Sequence, residues 1–219
     1  MNRTSVPIAG AVTASVLLLL TACGGGGSDT ADHIQPSAGG KPSASSNPTP
    51  SSTQAGAERP STALPKDLKL VFDWPKTGDP TKDAVFADAA QYVRAYNRAA
   101  ASHDLKDPAY QFYSRDQGLT YAHAQITANI DGGWAPTGVD HYYRAKVTLP
   151  RPGSATLTYC RDQTKAYSKN VATGKVHLTT PSDSDFVLYN VLYVKDASSK
   201  GVWQASHVVV IEKATQCKR

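Results

Sequence analysis

Between residues 79 and 130 apolar side chains recur at three- and four-residue spacing, and from 139 onward they alternate. That change of period predicts helices first and strands afterwards. Asp79-Pro80 supplies a capping carboxylate and a proline tolerated at the first helical position. Val85, Phe86, Ala89, Val93, Tyr96 and Ala100 then mark one face of a helix over about 81–101, with Arg94 and Arg98 on the other side. Asp107-Pro108 repeats the signal for a short helix to about Asp116, with Gly118 expected to break it. Leu119, Ala122, Ile126 and Ile130 predict a third helix, ended by Asp131-Gly132-Gly133.

The strands follow. Val139, His141, Tyr143, Ala145, Val147 and Leu149 alternate with Asp140, Tyr142, Arg144, Lys146 and Thr148, which predicts a long half-buried strand. Beyond a turn at Pro150–Gly153, Ala155, Leu157 and Tyr159 mark the next strand, running through Cys160. Short strands near 163–168 and 175–180 flank a turn at Ala172-Thr173-Gly174-Lys175. Phe186 to Lys195 is apolar on both faces and reads as central, and Val202 to Lys213 is the last strand. Helices and then a run of antiparallel strands make an α+β plan.

The ends place this domain in the cell. Arg3, an apolar run from Ile8 to Leu20 and Leu20-Thr21-Ala22-Cys23 form a secretory signal. The run is shorter than the ~20 residues a membrane-spanning helix needs. The Leu-Thr-Ala-Cys quartet resembles the lipobox of bacterial lipoproteins. That resemblance implies removal of residues 1–22 and a diacylglycerol on Cys23, which anchors the chain outside the cell membrane. Residues 23–64 are rich in Gly, Ser, Pro, Ala and Thr, cannot bury enough apolar surface to fold, and read as a tether. The globular domain is expected over 65–219. Its acidic and basic residues leave it the whole formal charge of +5. The charge is too dilute for a nucleic-acid partner and reads first as solubility. With Cys23 lipidated, Cys160 and Cys217 are an even pair in an oxidising compartment and read as one disulfide. Two free thiols or a metal pair are the alternatives, although no histidine lies close to either cysteine.

The order of elements over 79–213 resembles the NTF2-like superfamily of cone-shaped α+β domains. The segment Thr158-Tyr159-Cys160-Arg161-Asp162-Gln163-Thr164, then Gly174-Lys175, then Gly201-Val202-Trp203 and the late Cys217 are similar to small actinobacterial lipoproteins of this fold. The resemblance implies three helices packed on a curved antiparallel sheet, and it supports the Cys160–Cys217 bridge. It implies no function, because the fold carries enzymes, binders and scaffolds alike.

Candidate chemistry sits on the strands. His141 and Tyr143 share a strand face, as do Trp203, Ala205 and His207, while Asn190 shares one with Phe186 and Leu188. If those faces look into the cone, His141, Tyr143, Asn190, Trp203 and His207 line one pocket. The plainer reading, given more weight, is that they are ordinary mid-strand residues. Asp162 reads as structural, and Trp134 as a core plug or the rim of a pocket mouth. No catalytic residue is assigned. There is no nucleophile elbow, phosphate-cradling loop, His-Glu-Xaa-Xaa-His or calcium loop, so no metal or cofactor is expected. These readings predict a lipid-anchored, non-enzymatic protein of the cell envelope. It would bind a protein partner, a second copy of itself or a small hydrophobic ligand. The rival is an isomerase- or dehydratase-type enzyme acting on a small apolar ligand in the cone.

Overall fold

The computed structural model describes residues 58–198 and 201–219. The expected signal, Cys23 and most of the tether lie outside the described residues. The first strand, β1 (Leu68–Phe72), is followed by helices α1 (Pro80–Ser102), α2 (Pro108–Phe112) and α3 (Asp116–Gly132). Strands β2 (Trp134–Arg151), β3 (Ser154–Asn170), β4 (Val176–His177), β5 (Phe186–Lys195) and β6 (Trp203–Ile211) complete the fold. The order across the sheet is β1-β2-β3-β5-β6, with β4 paired to β3. Three helices packed on a curved sheet, with one disulfide, is the NTF2-like plan expected. The sheet is mixed rather than purely antiparallel, because β1 pairs parallel with β2. None of the described helices is long and apolar enough to cross a membrane.

Local chemistry places the helix ends. The Asp79 side chain accepts from the backbone N–H groups of Thr81 and Lys82, ahead of Pro80. The Asp107 side chain accepts from Ala109 N–H and pairs with Arg98. Gly118 does not end a helix as expected; it lies in the first turn of α3. Its missing side chain serves packing instead. A Cβ there would lie 2.2 Å from the Ala205 carbonyl oxygen, so only glycine lets α3 touch the β6 backbone. The expected separate strand near 163–168 is the continuation of β3, and β4 is only two residues long.

Bulges decide which way each side chain points. Between the pairs Tyr143↔Cys160 and Lys146↔Thr158, β2 carries an extra residue, and Arg144 there has a φ of 51°. The alternation therefore reverses inside β2. Ala145 and Val147 face the helices together with Asp140 and Tyr142, while His141 and Tyr143 face away. The register also shifts between Val139↔Lys165 and His141↔Asp162, where the Asp162 carboxylate accepts from Thr164 N–H. Asp162 thus caps a local turn.

The outer face of the sheet carries the C-terminal tail. Cys160 and Cys217 form the disulfide, packed with Tyr143 and Ala214. It spans 57 residues of sequence and contributes about 4 kcal/mol on the chain-entropy account. The Tyr143 hydroxyl donates to the Cys217 carbonyl, and the Arg219 guanidinium lies 3.9 Å above the Tyr143 ring. The packed chain also starts before residue 65. Arg59 pairs with Asp88, whose other oxygen accepts from Trp203 N–H at 2.8 Å, and Leu64 packs against the core.

Candidate functional site

The space between helices and sheet is filled at one end and open at the other. At the filled end, Val85, Phe86, Ala89, Tyr92 and Val93 of α1 pack on Leu157, Tyr159, Val191, Tyr193 and Trp203 of the sheet. Trp74 closes this end, its ring 5.6 Å from those of both Phe86 and Tyr159. At the other end a cavity of about 350 Å³ opens between the second halves of α1 and α3 and strands β2 and β3.

An ion pair lies in the wall of this cavity. Asp140 is 2% exposed, and Arg161 on the neighbouring strand keeps 21% of its side chain accessible. Arg161 Nε donates to both Asp140 oxygens at 2.9 Å, and Nη2 donates to Oδ2 at 2.6 Å. Tyr142 adds a hydroxyl donor to Oδ2 at 2.9 Å. The carboxylate is thus fully engaged, while Arg161 Nη1 has no partner among the described residues. Burial works against the charge on Arg161, but Asp140 and the nearby tyrosines outweigh it and hold the pKa well above its ordinary value. Burial likewise pushes the hydroxyls of Tyr96, Tyr121 and Tyr142 up, so they stay protonated as donors.

The wall above the ion pair is rich in carboxamides: Asn97, Gln125, Asn129 and Gln163, with Tyr96 and Tyr167 as ring surfaces. Each carboxamide offers donors and an acceptor. Asn97 spends one of its two N–H donors on the Val93 carbonyl and Asn129 one on the Gln125 carbonyl, while Gln163 reaches the Ser184 carbonyl at 3.2 Å. The cavity therefore presents mixed donors and acceptors over a neutralised ion pair. It suits a ligand with many hydrogen-bonding groups and little net charge. Of its ionisable groups, the deeply buried Asp140 carboxylate is saturated, Asp185 at the rim caps Ser182 N–H, and His177 lies exposed at the mouth. No group of three or more metal-ligating side chains occurs among the described residues.

The residues singled out from the strand pattern do not meet here. His141 and Tyr143 lie on the outer face, held by Arg219 and the tail. Burial and the charge of Arg219 lower the pKa of His141. Asn190 is exposed and pairs across to Val209. His207 is exposed because the register shifts between Leu192↔His207 and Tyr193↔Ala205, which turns it away from Trp203 and Ala205. Only Trp203 points inward, into the filled end. The pocket expected from His141, Tyr143, Asn190, Trp203 and His207 is replaced by one built on Asp140 and Arg161. A signal for it was present: an acid and a base in adjacent strands, each two positions from a tyrosine, Tyr142 and Tyr159. Reading it required the bulges.

No protein-family model and no curated protein matches the chain. Solved structures similar to it include a ketosteroid isomerase-like protein from Erwinia carotovora atroseptica SCRI1043, at 18% identity and a TM-score of 0.40, over 61% of this chain and 97% of that one. Aln2 from a Streptomyces species is similar at 12% identity and a TM-score of 0.42, over 65% and 96%. An NTF-2 like protein of unknown function from Shewanella oneidensis MR-1 follows at 14% identity and a TM-score of 0.35, over 57% and 96%. At these identities no residue role passes from them to this chain.

Proposed function

We propose that this chain is an exported binding protein, anchored to the outer side of the cell membrane through lipid on Cys23, whose cone takes a small neutral ligand rich in hydroxyl groups. The observation that carries the ligand class is the cavity wall, where four carboxamides surround an ion pair that satisfies itself except at Arg161 Nη1. A steroid-like apolar ligand would cover those groups without bonding to them, at a cost of about 1–3 kcal/mol for each one left unpaired. An isomerase role needs a base held near the reacting carbon; Asp140 is committed to Arg161 and Tyr142, and His177 stands exposed at the mouth on the two-residue strand β4. The binding role is therefore the better-supported one.

Two experiments test the two halves. Cys23→Ser should release the chain from the membrane fraction and abolish incorporation of labelled palmitate; a membrane-bound serine variant refutes the anchor. For the ligand, unlipidated full chain is melted with neutral mono- and disaccharides, charged sugars and steroids. The neutral sugars should raise the midpoint, and Gln125→Leu should remove that rise. A rise with steroids alone refutes the ligand class.

A second role rests on a separate observation. Val209 and Ile211 of β6 stand 43% and 47% exposed, on the edge strand of the sheet. This patch favours docking of a protein partner or a second copy. Val209→Lys should then lower the sedimentation coefficient of any dimer.

A further inference from the structure

The β3–β4 hairpin exposes large apolar side chains to an unusual degree: Val171 by 51%, Val176 by 38% and Leu178 by 71%. They are not scattered. Val176 and Leu178, with the half-buried Trp134 and the exposed His177 and Lys175, form a groove of about 500 Å³. His177 lines both this groove and the polar cavity, and its ring centroid lies 6.2 Å from that of Trp134. The two spaces therefore adjoin along one side chain. A purely polar ligand would fill the cavity and leave the groove bare. A purely apolar one would fill the groove and leave the carboxamides and Arg161 Nη1 unanswered. An exposed apolar groove at the mouth of a polar cavity fits a molecule that changes character at the same place.

We propose that the ligand is a neutral glycolipid-like amphiphile, its sugar in the cavity above Arg161 and one alkyl chain along the Trp134–Leu178 groove. This rests on the binding role proposed above and adds the part of the ligand outside the cavity. The sugar hydroxyls each donate and accept, as the carboxamides of Asn97, Gln125 and Asn129 do. The alkyl chain leaves past His177 and lies on the apolar side chains of the hairpin.

The test uses the full chain carrying Cys23→Ser, purified without detergent. Calorimetric titrations compare glucose with octyl and decyl β-glucoside, kept below micelle formation. Affinity should rise roughly two- to fourfold for each added methylene, the range for partial to full burial of one CH₂. Leu178→Asp should abolish that dependence and leave the weak glucose response; the side chain is exposed, so the variant folds. Gln125→Leu should weaken glucose and both glucosides by a common factor. Glucose binding with no dependence on chain length overturns the amphiphile and leaves the cavity reading standing. Chain-length dependence untouched by Gln125→Leu overturns both, as does absence of binding by every probe. A Trp134 emission change with phosphatidylglycerol vesicles but not with monomeric glucosides makes the groove a membrane contact and overturns the proposal. A dimer that Leu178→Asp dissociates assigns the groove to a second copy and overturns it too.

Discussion

Two environments meet along the single helix α1. Up to Val93 its inner face packs on the hydrophobic core, and from Tyr96 to Ala100 it lines a cavity. The two ends treat polar atoms differently. At the filled end the Trp74 Nε1 and the Tyr193 hydroxyl are buried without hydrogen-bond partners. At the open end Asp140 collects every donor within reach. A neutral hydroxyl carried in on a large ring costs little more than its lost hydrogen bonds to water, which burial of the ring offsets. A carboxylate has no such escape, and it is tolerated only where its partners are complete. Each interior carboxylate is accordingly paired, Asp140 with Arg161 beside the cavity and Asp88 with Arg59 and the Trp203 backbone at the filled end.

The contrast can be broken most forcefully at Arg161. Arg161→Leu leaves Asp140 buried without its counter-ion and should cost about 3–5 kcal/mol in urea unfolding. Adding Asp140→Leu should recover most of that loss; if it does not, the pair is a net stabiliser and the contrast is overstated. Gly118→Ala probes the contact of α3 with β6. The Cβ meets the Ala205 carbonyl, so about 1–3 kcal/mol should be lost. A matched pair sharpens the comparison further. Tyr142→Phe removes a donor from Asp140 and should cost about 1–2 kcal/mol, whereas Tyr193→Phe removes an unpaired hydroxyl and should be neutral or slightly stabilising. Equal losses would mean that the two ends do not differ. The smallest effect belongs to neither end. The folded pKa of His141 is lowered, so below about 6.5 the unfolded chain binds the extra proton more readily. Stability should fall as pH drops from there through the lowered folded value, and His141→Gln should flatten that slope without changing sugar affinity.

These outcomes bear on how much the chain reveals before it is folded. The helix starts at Asp79-Pro80 and Asp107-Pro108 were legible, because capping is a local event. The core face of α1 was legible because one period governs the whole helix. The Cys160–Cys217 bridge was legible from the parity of the two cysteines left once Cys23 is assigned to lipid, as the lipobox resemblance implies. The site was not legible, and the reason is specific. In a strand, one inserted residue exchanges the two faces. The extra residue at Arg144 let the apolar Ala145 and Val147 advertise the wrong face for His141 and Tyr143. The shift beside His207 did the same on β6. β1 escaped notice because five residues paired parallel to a distant strand leave no hairpin signature.

Asp88 gives the molecule a mechanical property. One of its oxygens holds Arg59 at the head of the folded chain, and the other holds the backbone of Trp203. A pull applied at Arg59 would be shared at that point between α1 and β6, instead of peeling away a single segment. The cavity-lining Ala100 lies twelve residues further along α1 from Asp88, about 18 Å at helical rise. Such a pull would load the filled end first, away from the residues that line the cavity.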